Sequence, residues 1–483
     1  MELTADPLQH VRAMNSPSAK RYLPWVVATT MFMEQLDSTI LNTAVPSMAV
    51  SLHVTPLSLK SVVTSYIIAL AVCIPISGWM ADRFGSRRVF ASAVAVFTMA
   101  SIACGLAINV HMLVAARVLQ GLGAAMMLPV GRLTILRVFP KAELLRAMNF
   151  VIMPALFGPL MGPAIGGLIV DWLSWRGIFF VNVPVGLAAL LLSHRYMPNH
   201  HGSARRLDIV GMTLFGAGIA LVTWLLEIFG ERPFDLLSAT AVASLAFGLL
   251  TAYGWRARRS PNPIFDLALF EIRTFRVSII GGFVTRLGVG GLPFLLPLLF
   301  QLGLGFSAWQ SGLLMMPPAL GAIGMKWLSI DLLRRLGYRQ VLIVNTVMMG
   351  LNIGLFSLVF QATPIALIVI LGLTQGLFNS LQFSSMNSLA YADIEPGDSS
   401  MASSLASSLQ QVSIGLGLAV GSLVAAWYLG DSSQSDRWVA VVSLHHAFLT
   451  LGALTILSSW SFWTLHSNDG AIMSMRAHVE DRL

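Results

Sequence analysis

The chain of 483 residues is 56% hydrophobic and 11% charged, with a mean hydropathy of +0.75, and this excludes a soluble globule, since soluble domains carry about a quarter charged residues. Its net charge of +8 would point to nucleic acid only if the basic residues gathered on one soluble face; they are spread over short joints, so no nucleic-acid partner is expected. Cys73 and Cys104 lie inside apolar runs and offer neither a disulfide framework nor a thiolate metal cage, so no metal site is expected.

A spanning helix needs about 20 apolar residues. A window of about 19 residues finds apolar segments at 22–44, 59–80, 89–108, 111–131, 147–170 and 178–194, then 209–229, 235–255, 276–300, 309–330, 340–360, 363–385, 402–428 and 440–463. The expectation is an all-α polytopic membrane protein with fourteen spans. Two of the boundaries, at Asn109 and at Gln361 to Pro364, are drawn because each apolar run is too long for one span. The first run is too long for a signal peptide and carries Glu34 and Asp37, so it reads as an uncleaved span.

Lys and Arg flanking short loops are retained on the cytoplasmic side. With the amino terminus inside, the cytoplasmic joints collect 23 of the 30 basic residues, from Arg12, Lys20 and Arg21 through Arg205 and Arg206 to Arg476 and Arg482. The outer joints hold only Lys60, Arg176, Arg232 and Arg437. Both termini are therefore expected in the cytoplasm, with the chain in an inner membrane.

The second half echoes the first. Arg83-Phe84-Gly85-Ser86-Arg87 is answered by Arg335-Leu336-Gly337-Tyr338-Arg339 at an offset of 252 residues, and the stretch around Gln120-Gly121-Leu122 by Gln375-Gly376-Leu377 at an offset of 255. The expected organisation is a six-helix bundle at 1–194, a linker with two extra spans at 195–275, and a second six-helix bundle with a tail at 276–483. Duplicated halves rocking about a midplane site are how many carriers work.

Glu34 and Asp37 stand three apart in the first segment, on one helical face. A charge at the bilayer centre costs about 2.5–3.5 kcal/mol on insertion scales, so such residues face a cavity or a partner. Both are candidates for carrying protons, the plainer alternative being a hydrogen-bonded packing pair. Arg117 in the fourth segment is equally costly; Asp37 is its expected partner, with snorkelling to an interface as the alternative. The joint Gly78-Trp79-Met80-Ala81-Asp82-Arg83-Phe84-Gly85-Ser86-Arg87-Arg88 sets an acid among three Arg. Asp82 there is expected to cap a neighbouring helix amino terminus and so lock one side shut. In the fifth segment Gly158, Gly162 and Gly166 bare one helix face for close approach, while Pro154, Pro159 and Pro163 should bend it. Arg286 in the ninth segment falls on the repeat position of Glu34. It is expected to face Glu34 and Asp37 across a central cavity, pairing with them or binding an anionic substrate group. Asn42 and Gln120 are further candidates for the cavity wall.

These residues carry a resemblance to the drug:proton antiporter family of the major facilitator superfamily, in its fourteen-span branch. Leu36-Asp37-Ser38-Thr39-Ile40-Leu41-Asn42-Thr43-Ala44-Val45-Pro46 is similar to the first-span signature, where the resemblance implies a proton-coupling role for Asp37. Gly78 to Arg88 resembles the loop that serves the family as a conformational latch. Arg117 to Gly123 resembles the fourth-span motif, whose Arg takes part in proton transfer. Gly158 to Gly167, continuing through Trp175-Arg176 and Asn182-Val183-Pro184-Val185-Gly186, resembles the fifth-span motif of exporters. The second half departs from the pattern, since Arg334 stands at the place of Asp82 and Gly372 at that of Arg117. No second proton relay is expected there.

The resemblance implies a multidrug-type exporter driven by the proton gradient, without a bound cofactor. It would act on small molecules as a monomer in the lipid bilayer, with a periplasmic adaptor and outer-membrane channel left open as partners. A carrier for a specific anionic metabolite, and an importer on the same fold, remain alternatives. An enzyme would need a metal or nucleophile set and an ATP-driven pump a phosphate loop, and the sequence has no HExxH, GxxxxGK[ST] or paired Cys. His445-His446 reads as packing or solvated histidines. Substrate identity is not legible, because the 24 Met and 26 Phe serve lipid-facing and core positions as readily as a cavity.

Overall fold

In lipid every backbone polar group must be satisfied within its own segment, so each apolar run has to become a helix. The computed structural model describes residues 17–202, 207–228, 236–260, 263–395, 398–429, 437–466 and 468–470. Arg12, Arg205, Arg206, Arg232, Arg476 and Arg482, counted in the charge asymmetry, lie outside the described residues.

Helix α1 (Pro17–Leu52) carries the first segment. Helix α2 (Pro56–Phe84) follows and ends at Gly85, whose φ of 92° is open to glycine at little cost. Helix α3 (Ser86–Gly105) starts directly beyond. Asn109 begins α4 (Val110–Val138) by accepting the Met112 N–H at 2.8 Å, a side-chain cap that breaks the long apolar run where the sequence divided it. Helix α5 (Lys141–Trp172) continues as one helix through its three internal prolines. Then come α6 (Gly177–Tyr196), α7 (Ile209–Ile228) and α8 (Leu236–Ala257).

Helix α9 (Arg273–Gly303) precedes α10 (Ala308–Leu358), a 51-residue stretch broken at Gly337, where φ is 76°. The apolar segments 309–330 and 340–360 are its two arms. Helices α11 (Ile365–Ala390), α12 (Ser399–Leu429) and α13 (Arg437–Phe462) complete the long helices among the described residues. Eleven helical stretches among these are long and apolar enough to cross a membrane, and α1 and α5 add helices of 36 and 32 residues.

Helices α1 to α6 pack as one group and α9 to α13 as another. One apolar cluster bridges them, joining Leu36, Val45 and Phe179 to Phe294, Phe300, Phe356 and Phe448. Helices α7 and α8 pack on each other, and α7 also lies on α2 and α12. The apolar window of α8 is 17% buried against 61% for α9, so this pair lies on the flank of the bundle and leaves its interior to the other helices. Arg256 ties the two together, donating to Asp208 Oδ1 at 2.9 and 2.7 Å.

The connection leaving α6 folds back over the Gly85 turn. Ser86 N donates to the His200 carbonyl at 2.9 Å, Arg87 N to Asn199 Oδ1 at 3.2 Å, and Gly202 N to the Asp82 carbonyl at 3.1 Å. The connection leaving α13 does the equivalent at the other break. Asp469 pairs with Arg273, and Gly470 lies against the ring of Tyr338, the residue after Gly337.

Candidate functional site

Helix α1 buries Leu36, Asp37, Ile40, Leu41 and Ala44 on one stripe, and this i, i+3, i+4 spacing carries Asp37 into the middle of the first six helices. Asp37 and Arg117 are each 1% exposed. Arg117 Nη1 donates to Asp37 Oδ2 at 2.7 Å and to Gln120 Oε1 at 2.9 Å, while its Nε reaches the Val62 carbonyl at 3.3 Å. Its guanidinium stands 4.2 Å from the centroid of the Tyr66 ring. The expected Asp37–Arg117 pair is present, and the snorkelling alternative falls.

Two neutral amides finish the carboxylate. Gln120 Nε2 and Asn182 Nδ2 both donate to Asp37 Oδ1, at 2.9 and 2.7 Å. Asn182 also donates to Ser101 Oγ at 3.0 Å, whose hydroxyl donates to the Phe179 carbonyl at 2.9 Å. Helices α1, α2, α3, α4 and α6 thus converge on one buried carboxylate. Every group facing that carboxylate is a donor, so the ionised form is the one the site completes. A proton arriving on Asp37 removes the charge that holds Arg117 and places a further donor among donors, so the ties to Arg117 and the amides weaken.

Gln120 corrects an expectation. It is fully buried and spends both ends of its amide within the network, so it is no wall residue of a cavity. Asn42 is buried, with Oδ1 unpartnered. Glu34, one turn before Asp37, is buried but stays outside the network; Arg132 and Asp37 are the charges that act on it.

Arg286 is not paired with Glu34 or Asp37. Both Asp37 oxygens are already engaged, the cation acting on Glu34 is Arg132, and the Arg286 side chain lies over Phe383 of α11, 5.2 Å from the ring centroid. Asp82 is also corrected. Its carboxylate takes Arg137 at the end of α4, at 2.7 Å, and caps no helix among the described residues, because the guanidinium supplies a charge-assisted partner close at hand.

The glycine stripe of α5 works as expected and against a definite neighbour. Side chains at Gly158, Gly162 and Gly166 would collide with Gln35, Thr39 and Ile40 of α1, and one at Gly167 with the Ala308 carbonyl of α10. Thr39 Oγ1 donates to the Gly158 carbonyl at 3.3 Å. At the end of α5, Asp171 accepts the N–H groups of Ala308 and Trp309 at 3.2 and 3.0 Å, so this carboxylate caps α10 across the two helix groups. Gln301 Nε2 adds a bond to the Thr43 carbonyl at 2.9 Å at the same end. His445 bonds the Val359 carbonyl at 2.8 Å and packs edge-on against Phe360, as a packing histidine does.

Sequence reasoning missed Asn182, Ser101, Tyr66 and Asp171 as working residues. Asn182 carried a signal, being a polar residue at the head of an apolar segment. Ser101 and Tyr66 carried none.

Residues 27–418 match the sequence family described as the Major Facilitator Superfamily. Proteins named "Putative multidrug resistance protein MdtD" are similar over nearly the whole length. That of Enterobacter sp. (strain 638) is 40% identical, covering 90% of this chain and 91% of that protein. That of Serratia proteamaculans (strain 568) is 41% identical, covering 88% of each. Among solved structures, a D-xylose-proton symporter superposes with a TM-score of 0.66 at 14% identity, covering 93% of this chain and 99% of the other. A POT family transporter in complex with a thioalcohol conjugated peptide gives 0.67 at 16% identity, covering 91% and 95%. At such identities these structures speak for the fold alone.

Proposed function

The chain belongs to the Major Facilitator Superfamily, and from that premise we propose that it is a proton-coupled antiporter exporting small amphiphilic compounds across the bacterial inner membrane. The observation that carries the proposal is the buried Asp37 carboxylate, tied to Arg117 and to two amides. A carboxylate inside a membrane is expensive and marks a proton or substrate path. The names of the relatives, multidrug resistance proteins at about 40% identity over nine-tenths of the chain, support the direction and breadth of the activity.

The cycle follows from the donor shell. A proton entering from the acidic outer side neutralises Asp37, releases Arg117 and the amides, and loosens α1 from α4 and α6. Return of the proton to the cytoplasm re-forms the ties. No bound cofactor is required, because the proton gradient supplies the energy. With the amino terminus inside, the end of the bundle holding Asp171 and Ala308 is the outer face, where the two helix groups are fastened to each other. The Gly337 break supports reading α10 as two spans and the whole chain as fourteen.

The test is transport by the purified protein in vesicles carrying an imposed pH gradient. Wild-type protein should move a lipophilic dye uphill against proton flow, and a collapsed gradient should stop it. Movement that persists without the gradient would remove the proton from the proposal.

A further inference from the structure

Two arginines other than Arg286 bear on the carboxylates buried in the helical bundle, one from within and one, Arg132, from an exposed position. Arg117 holds Asp37, and Arg132 acts on Glu34. Arg286 has neither an ion pair nor a hydrogen bond from its guanidinium among the described residues, where its contact is the Phe383 ring. It stands 13 residues, about 20 Å at 1.5 Å per residue, inside the 31-residue helix α9, at mid-depth, where a side chain cannot reach either interface. Its face of the helix is not the lipid face: Ile280 and Val284 are 47% and 38% exposed and mark a stripe roughly opposite, at 100° per residue.

The surroundings are shaped to hold this charge. A Cβ at Gly282, one turn earlier, would meet Arg286 Nη1 at 2.8 Å and Met386 Sδ at 3.1 Å, so a glycine there gives the side chain room to fold back along its helix. Phe383 of α11 forms the shelf beneath, still 38% exposed, and Met386, itself buried, backs it. An unbalanced guanidinium beside an open aromatic face and a polarisable thioether fits one class of ligand. A carboxylate or sulfonate would take the planar fork bidentately, an aromatic ring would stack on Phe383, and Met386 would adapt to its outline.

We propose that Arg286, Phe383 and Met386 form a subsite for the anionic head and ring of an aromatic organic anion, making such anions substrates of this carrier. The proposal names the substrate class for the export activity above and rests on that reading.

The experiment compares two probes that share the pyrene ring and carry opposite head charges, pyrenebutyrate and pyrenebutyl-trimethylammonium, binding to the purified full chain in lipid nanodiscs. Wild-type protein should bind pyrenebutyrate. Arg286→Ala should weaken that binding at least tenfold and strengthen binding of the cation, and Arg286→Lys should recover part of the loss. Phe383→Ala should weaken both probes, the anion more. If the alanine variant does not purify as a monodisperse species, Arg286→Gln carries the same comparison. Absence of pyrenebutyrate binding, binding indifferent to Arg286, or parallel loss of both probes overturns the subsite. Gradient-driven export of the cation by the wild type is measured beside it. Export without charge-selective binding removes the subsite and leaves the antiporter, whereas charge-selective binding without gradient-driven movement of either probe removes the antiporter and leaves the subsite.

Discussion

Asp37 accepts from three side chains and donates to none, so its charge state decides how many helices it holds. Asp37→Asn offers an amide of the same size that cannot carry a proton through the cycle. It should insert normally and lose uphill transport in vesicles with a pH gradient, while exchange of substrate down its own gradient persists; uphill movement by this variant would exclude Asp37 as the coupling group. Asn182→Ala removes one donor from a fully buried oxygen, and leaving such a group short of a partner costs about 1–3 kcal/mol. Its midpoint of thermal unfolding in detergent should fall, and a midpoint equal to that of the wild type would show the amide to be dispensable. Asp37 and Arg117 were legible in the sequence because a charge inside an apolar run has few physical excuses. Asn182 was visible as a polar residue but its partner was not, and Ser101 was not visible at all, because neutral polar residues occur throughout spans and only the packing of α3 and α6 on α1 decides which of them meet the carboxylate. Gln120 shows the converse error, since a polar residue in a cavity-lining segment can spend itself entirely on a neighbour.

At the scale of elements, the close approach of α1 and α5 depends on missing side chains. A side chain at Gly162 would strike Thr39 Oγ1, and one at Gly166 the Ile40 carbonyl, so Gly162→Leu must push two helices apart and should abolish the folded, monodisperse protein, whereas Gly248→Leu, in open space on α8, should be accommodated. Size-exclusion profiles of the two variants decide this. Where α5 ends, Asp171→Ala would strip the cap from Ala308 and Trp309. The expected outcome is weaker fastening of the two helix groups at that end, read as faster labelling of a cysteine placed at Asn42 by a membrane-impermeant reagent, and unchanged labelling would count against a gating role. The glycine stripe was visible as spacing, but its partner was not. The role of Asp171 was invisible because a cap between distant helices has no local signature. Asp82 went astray for a related reason, since several orphan groups lay near in sequence and only the fold brings Arg137 closest.

Over the whole molecule, the body of each apolar segment falls on helix among the described residues, and the divisions at Asn109 and at Gln361 to Pro364 fall on a helix cap and on the gap between α10 and α11. The reason is that the bilayer leaves one choice for an apolar segment of this length. The flank position of α7 and α8 was not legible, because apolar content does not tell lipid from neighbour. Sidedness rests on the distribution of charge, and cysteines at Arg88, Arg258 or Arg334 should label only from the cytoplasmic side of inverted vesicles. Labelling from outside intact cells would reverse the topology. The repeat, read from two short echoes, has a backbone counterpart in the positive φ of both Gly85 and Gly337, and each break lies under the stretch of chain that leaves its own helix group. The return of residues 198–202 over the Gly85 turn therefore completes the first group before α7 is reached, so a ribosome can release a finished, self-fastened bundle into the membrane while the rest is still being translated. Encoded as two polypeptides, 1–202 and 203–483, the carrier should still assemble from separate messages, and co-purification of the two fragments from one cell would show it.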